Sequence, residues 1–354
     1  VQGLESVKQS PSGSAIIEIR FERALARGPI NLGPAPSKLV IGLLLNDFQP
    51  IDDSLAAIES DLAALPGKIS VFYGPVYNDL EPVLAINADT QFAIGSTFKL
   101  YILSALARQV EAGERSWREI VLLDRKSFPS GRMQNWPDNS PVTLHTLSTM
   151  MISISDNTAT DRLLRELGRD VVETELIGSG HSDPDRTLPF LSTFEMFALK
   201  GSEPNLRKYE RATEATQRRI LVDLEDDVGG NRDLIAPPTF TEPFAIETVE
   251  WFASGSDLRK LGRQLATFKD PTAREIMAVS PAMSETQREK WNYVGYKGGS
   301  EPGVLNLTWL LQDKSDNWHI LAMSWNNPDA VVDQNTFEML AQRILAITPQ
   351  SDLP

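Results

Sequence analysis

The chain contains no cysteine. Disulfides, thiolate nucleophiles and Cys-ligated zinc are therefore excluded, and the redox compartment is left unread. Histidine is scarce: His145, His181 and His319 stand far apart, with no H-x-H or H-E-x-x-H pairing. A histidine-built hydrolytic zinc centre is not expected, and no cofactor is called for. Long apolar runs are also missing. The longest, Leu39 to Leu45, is held between Lys38 and Asn46, far short of the roughly 20 residues a membrane span needs. Positive charge is in deficit, with 34 Lys and Arg against 48 Asp and Glu and a net charge of −14. Nucleic acid and anionic membrane surfaces are poor partners for such a chain, and nothing in it predicts a partner protein. The sequence begins at Val1 without an initiator Met or a signal peptide, which reads as a processed or trimmed form.

What is present is an ordinary globular mix: 354 residues, 41% hydrophobic and 23% charged. That length suits about two domains. Residues 1 to 13 are polar. Ala15–Phe21 alternates as a strand does, and Ser37–Leu45 is a second strand candidate. The Gly28-Pro29 to Pro36 stretch between them reads as a turn-rich connection. We expect a small N-terminal segment, residues 1–50, and a main domain over 51–354. In the main domain, Asp53-Ser54 caps a helix that Pro66-Gly67 stops. Ile69–Phe72 and Val83–Ile86 read as a strand pair. Helical periods follow over Ser96–Glu111, Val142–Ile154, Asn157–Leu167 and Phe190–Leu199, with Gly168–Leu188 loop-like and Gly201–Pro243 ambiguous. Three strands, Tyr293–Lys297, Val304–Leu311 and Trp318–Trp325, precede a terminal helix over Phe337–Ile347. Strands at both ends of a helical middle predict an α+β fold, an antiparallel sheet flanked by helices.

Three short motifs can carry chemistry. Ser96-Thr97-Phe98-Lys99 opens a helix after the apolar Phe92-Ala93-Ile94. Positions i and i+3 share a helix face, so the Lys99 amine can reach the Ser96 hydroxyl. The helix start also offers unpaired N–H groups to a developing oxyanion. The bland alternative is a capping serine and a solvated lysine. Ser155-Asp156-Asn157 lies at a break between two helices, where Asp and Asn also serve as caps. Lys297-Gly298-Gly299, followed by Ser300-Glu301-Pro302-Gly303, ends a strand, and its glycines admit close backbone approach or merely a turn.

S-x-x-K, then S-D-N, then K-[S/T]-G is the signature of active-site serine β-lactamases and penicillin-binding proteins, and all three elements occur here in that order. Residues 53 to 350 thus resemble the class A β-lactamase-like serine hydrolases. The phrases around the motifs are similar to a branch with an extra N-terminal domain, such as the β-lactamase-like protein of clavulanic acid gene clusters and certain mycobacterial lipoproteins. The strands before residue 50 are then what remains of a cystatin-like or steroid-isomerase-like module.

The resemblance implies roles. Ser96 is the nucleophile and Lys99, if neutral, its base. Ser155 passes a proton to the leaving group, Asn157 positions Lys99, and Lys297 attracts a substrate carboxylate. The N–H groups of Ser96 and Ser300 form the oxyanion hole. Gly298, Gly299, Ser300 and Trp136 are expected along the substrate. It also implies an extracytoplasmic bacterial location and a small-molecule substrate, a β-lactam, an ester or a peptidoglycan-like peptide.

The sequence departs from that pattern in three ways. Gly298 stands where the family has Thr or Ser. No Arg follows on Val304–Leu311 to hold a carboxylate. The E-x-x-L-N phrase that supplies the deacylating glutamate has no Glu in the corresponding stretch, His181 to Leu191. Glu195 is expected inside the next helix, and Glu166 on a solvent face. Acylation machinery without the usual deacylation base predicts weak β-lactam turnover and favours esterase-like activity. A D-Ala-D-Ala peptidase or transpeptidase, and a turnover-deficient binding protein on the same scaffold, are the alternatives.

Overall fold

A computed structural model describes the chain except at residues 10–13, 23, 35–38, 46, 52, 78–79, 229–239 and 348–354, and at 226–228 it describes the backbone alone. The chain forms two compact units. One comprises residues 1–65, 282–292 and 335–354; the other comprises 66–281 and 293–334.

The first unit begins with five strands, β1 (Gly3–Gln9), β2 (Ser14–Arg20), β3 (Ala24–Leu32), β4 (Val40–Leu43) and β5 (Asp47–Pro50). They form one antiparallel sheet in the order β1-β2-β3-β4, with β5 also pairing β3. The expected Gly28-Pro29 turn is corrected here, since both residues lie inside β3. Gly28 is required because a Cβ there would meet the Leu44 carbonyl oxygen at 1.8 Å. Pro29 lacks an N–H, but its carbonyl accepts from Leu44 N at 3.1 Å. Helix α1 (Leu55–Ala63) starts at Ser54, whose hydroxyl accepts from Ala57 N, and it buries Ile58 and Leu62. The same unit holds the short α11 (Glu285–Arg288) and the terminal α12 (Gln334–Ala346). Arg343 of α12 clamps Asp53 and Asp61 at 2.6 Å each.

The second unit is built on a five-stranded antiparallel sheet. Its strands are β6 (Lys68–Pro75), β7 (Leu84–Ile86), β12 (Tyr293–Glu301), β13 (Val304–Gln312) and β14 (Trp318–Asn326), in the order β12-β13-β14-β6-β7. Two short pairs, β8 (Phe92–Ala93) with β11 (Phe252–Ala253) and β9 (Ile120–Leu123) with β10 (Ser140–Thr143), brace the loops. Between the halves of the sheet run α2 (Lys99–Glu111), α3 (Leu144–Ser153), α4 (Asn157–Leu167), α5 (Arg169–Gly178), α6 (Thr193–Lys200), α7 (Glu203–Glu210), α8 (Glu214–Val228), α9 (Gly255–Thr267) and α10 (Thr272–Met277). Nine consecutive residues of α2, Lys99 to Ala107, are buried. A helix buried all round is a core helix, and α2 fixes the site at its N-terminus. Phe72, Leu310, Ile320 and Ala322 of the sheet join the helices in one apolar core. This is the expected α+β layout, an antiparallel sheet flanked by helices with a β segment in front.

Helix α5 corrects the loop expected over Gly168–Leu188. Its interior-facing residues include Glu173 and Glu175, which break the apolar period. Glu175 is buried because Ser104 donates to it at 2.6 Å and Arg108 pairs with it at 2.6 Å. No helix among the described residues is long and apolar enough to cross a membrane.

Candidate active site

Ser96 sits in a 3-10 turn, Gly95–Phe98, that runs directly into α2. One turn on, the Lys99 side chain is fully buried. Its Nζ lies 3.2 Å from Ser96 Oγ, 2.7 Å from the Ser155 carbonyl oxygen, 3.0 Å from Ser155 Oγ and 2.7 Å from Asn157 Oδ1. Burial, and then the nearby Lys297 charge, push the Lys99 ammonium well below its ordinary value against the opposing pull of Asp161 and Asp156. A neutral amine has two N–H bonds and one lone pair. The two carbonyl oxygens can only accept, so they take both N–H bonds. In that form the lone pair is left for the serine hydroxyls.

Ser155 reaches this position through backbone strain. It adopts φ +58, a left-handed conformation that costs a non-glycine residue of order 1–3 kcal/mol. Asp156 holds the strain in place. Its carboxylate caps α4 by accepting from Ala159 N at 2.9 Å, and it also accepts from Arg132 N at 2.6 Å and Met133 N at 2.8 Å. Within S-D-N, therefore, Asp156 is the cap while Ser155 and Asn157 face Lys99.

Lys297 projects from edge strand β12 and donates to Ser155 Oγ at 3.1 Å. Burial lowers its pKa to about 7. The same strand carries the glycines that let it approach Ser96. A Cβ on Gly299 would lie 2.1 Å from the Ile94 carbonyl oxygen and 2.4 Å from Ser96 N. Gly95, at φ +47, is equally close to Ser300 N, 3.0 Å from where its Cβ would be. The backbones of residues 95–96 and 299–300 thus run against each other, which brings the Ser96 and Ser300 amides to one place.

A cavity of about 150 Å³ opens beside Ser96, with Ser130, Asn157 and Ser300 in its walls. Trp251 and Phe98, stacked at 3.7 Å between ring centroids, form an aromatic wall. Trp136 does not line this cavity; it packs half-buried against the core while its carbonyl oxygen accepts from Lys126. Gly298 does not line it either. A Cβ at Gly298 would lie 2.2 Å from Tyr296 Oη, and the Tyr296 ring is set 4.6 Å from Trp309 across the sheet. The phenol thus fills the space of a side chain at 298.

The stretch His181–Leu191, where the E-x-x-L-N phrase is expected, carries no glutamate. Leu188 packs half-buried against the core. Glu195 is fully buried and structural, closing a capping box with Ser192 and pairing with Arg169 at 2.5 Å. Glu166 is half-buried at the surface, where it pairs with Arg115 at 2.6 Å and Arg162 at 2.9 Å. The residues that sequence reasoning missed are Glu250 and Glu301. Both line the cavity, and both are bonded to Lys200, at 3.2 Å and 2.7 Å. The signal available for Glu301 was its place directly after Ser300; Glu250 had none. Among the described residues no group of three His, Cys, Asp or Glu side chains is placed to hold a metal ion.

The antiparallel sheet flanked by helices is the fold of β-lactamases and penicillin-binding proteins. A model of the β-lactamase enzyme family matches residues 51–223. The chain is similar in structure to a β-lactamase from Sphaerobacter thermophilus, with a TM-score of 0.56, 19% identity and coverage of 82% of this chain and 94% of that one. It is similar to the penicillin-binding protein PBP-A at TM-score 0.55 and 15% identity, covering 82% and 93%. A β-lactamase from Chitinophaga pinensis gives TM-score 0.54 and 15% identity, covering 82% and 96%. No curated protein matches the sequence.

Proposed function

We propose that this protein is a serine hydrolase of the β-lactamase superfamily that works through an acyl-enzyme on Ser96. The observation that carries this reading is the coordination of Lys99. Its two N–H bonds are taken by carbonyl oxygens, and its lone pair is left for the Ser96 hydroxyl 3.2 Å away. In acylation Lys99 takes the Ser96 proton as Oγ attacks the carbonyl carbon. The Ser96 and Ser300 amides receive the oxyanion, and a developing charge in such a pocket is worth about 2.7–4 kcal/mol per donor. Ser155, 3.0 Å from Lys99 and 3.1 Å from Lys297, delivers the proton to the leaving group. Lys297 offers its charge to a substrate carboxylate.

The substrate class follows from the departures. No glutamate in the His181–Leu191 stretch and no hydroxyl at 298 argue against an efficient penicillinase. Ester leaving groups depart more readily than amide ones, so ester hydrolysis with slow β-lactam turnover is the favoured activity. A peptidase or transpeptidase acting on D-Ala-D-Ala termini is the second reading. It is favoured by the missing glutamate, because a transpeptidase has no use for one in that loop. An extracytoplasmic location and the branch with an additional N-terminal domain go with this proposal.

The test is intact mass after mixing with a chromogenic cephalosporin or p-nitrophenyl acetate, beside Ser96→Ala. An adduct that vanishes in the variant supports the reading. Unchanged ester hydrolysis in Ser96→Ala, with no adduct in the parent, would overturn it.

A further inference from the structure

The stretch His181–Leu191 supplies no glutamate and no lining residue to the Ser96 cavity, yet carboxyl groups do stand in the cavity wall. Glu301 follows Ser300 on β12, next to one of the two amides assigned to the oxyanion, and it lines the Ser96 cavity with Glu250. Lys200, at the end of α6, binds both, at 2.7 Å to Glu301 Oε1 and 3.2 Å to Glu250 Oε1. The Lys200 and Glu250 side chains are closed to solvent, at 0% and 1% exposure, while Glu301 is open at 11%. The Phe240 ring covers Lys200 from the cavity side, its centroid 5.6 Å from Nζ. A carboxyl group that lines the nucleophile's cavity, held there by Lys200 and by a hydrogen bond with the Glu250 side chain, is placed to hold a water.

We propose that Glu301 is the general base for deacylation, with Glu250 and Lys200 as its positioning pair, an inference that rests on the Ser96 acyl-enzyme reading. In the step, water forms a bond to the acyl carbonyl carbon as Glu301 takes one of its protons. The tetrahedral intermediate then breaks its bond to Ser96 Oγ. Oγ recovers a proton through Lys99, and the proton on Glu301 replaces it by way of solvent. The net change is one water consumed and one carboxylic acid released, with Ser96 restored. The charged groups facing Glu301 are Lys200 from α6 and Glu250 from the segment before β11. Burial and the Glu250 charge push the Glu301 carboxyl well above its usual range, which strengthens it as a base once ionised.

The experiment uses p-nitrophenyl acetate as the acyl donor and follows the burst, the steady-state rate and the acetyl adduct by intact mass. Glu301→Gln is expected to keep the burst while turnover falls by about 10²–10⁴-fold, so that acetyl-Ser96 accumulates. The burst amplitude counts folded active sites, which separates this result from misfolding. Glu301→Asp retains the charge but withdraws it, and an intermediate deacylation rate is expected. Glu250→Gln removes the like charge, so the acid limb of the deacylation profile should move to lower pH. Deacylation of Glu301→Gln at the parent rate, with an unchanged pH profile, overturns the assignment while leaving Ser96 as nucleophile. Absence of any adduct in the parent overturns the Ser96 reading and this inference together.

Discussion

Replacing Lys297 with Met should stabilise the protein at neutral pH and remove a slope from its stability profile. Burial brings the Lys297 pKa from 10.5 to about 7, and a fall of that size is worth about 5 kcal/mol. The sign follows from proton counting. Between pH 7 and 10.5 the unfolded chain carries a proton on this amine that the folded chain does not. Stability contributed by the group therefore rises with pH across that window, by up to about 1.4 kcal/mol per pH unit. Below pH 7 both states are protonated and the full penalty of burying the ammonium is present. Lys297→Met carries no such penalty, so its advantage is largest at pH 7 and below and vanishes near pH 10.5. Lys99 is lowered in the same direction, by burial and then by the Lys297 charge; the part owed to Lys297 is lost in the variant and adds to the difference, while the part owed to burial is common to both proteins. Urea unfolding of parent and variant at half-unit steps from pH 6.5 to 10.5 measures it. Parallel stability profiles over that range would refute the argument, because they would mean that Lys297 stays charged when folded.

The same shift sets a pH dependence for catalysis. Acylation by the anionic penicillin G should decline above pH 7 relative to acylation by neutral p-nitrophenyl acetate as Lys297 loses its charge; stopped-flow burst rates give the ratio, and a flat ratio contradicts the role. Gly299→Ala should cut the acylation rate by roughly 10²–10³-fold, because its Cβ would meet Ile94 O at 2.1 Å and Ser96 N at 2.4 Å and drive β12 from the nucleophile; burst kinetics beside a thermal melt separate this from unfolding. Asp156→Ala leaves the amides of Arg132, Met133 and Ala159 without their acceptor, so urea unfolding should show a loss of at least about 1–3 kcal/mol, and slower acylation should accompany it as Ser155 relaxes.

The layered fold and the closeness of Lys99 to Ser96 were legible because each rests on local pattern. The three C-terminal strands read as strands because their residues are apolar and β-branched, and Lys99 reached Ser96 by helix spacing alone. Asn157 and Lys297 were legible through motif order, which stands in for distances no spacing rule supplies. The five-stranded N-terminal sheet was read as two strands because Gly28 and Pro29 carry turn chemistry; only the Leu44 carbonyl, sixteen residues on, explains a glycine there. Helix α5 was hidden by Glu175, whose partners Ser104 and Arg108 lie on α2. Glu250 was invisible for the same reason: its place in the cavity depends on Lys200 and Glu301, which are remote in sequence, and no local signal encodes a pairing of that kind.

The Tyr296 phenol lying over Gly298 sets a barrier to change. A hydroxyl-bearing side chain at 298 must first displace that ring from Trp309, and overpacking of this kind costs typically 1–3 kcal/mol. Taken in the other order, shortening Tyr296 first strips Trp309 of its ring partner before anything fills the gap. Both single mutants are therefore expected to be less stable than their parent, and only the paired change trades one filled space for another, so positions 296 and 298 form a coupled pair that single substitutions cannot explore without a loss of packing.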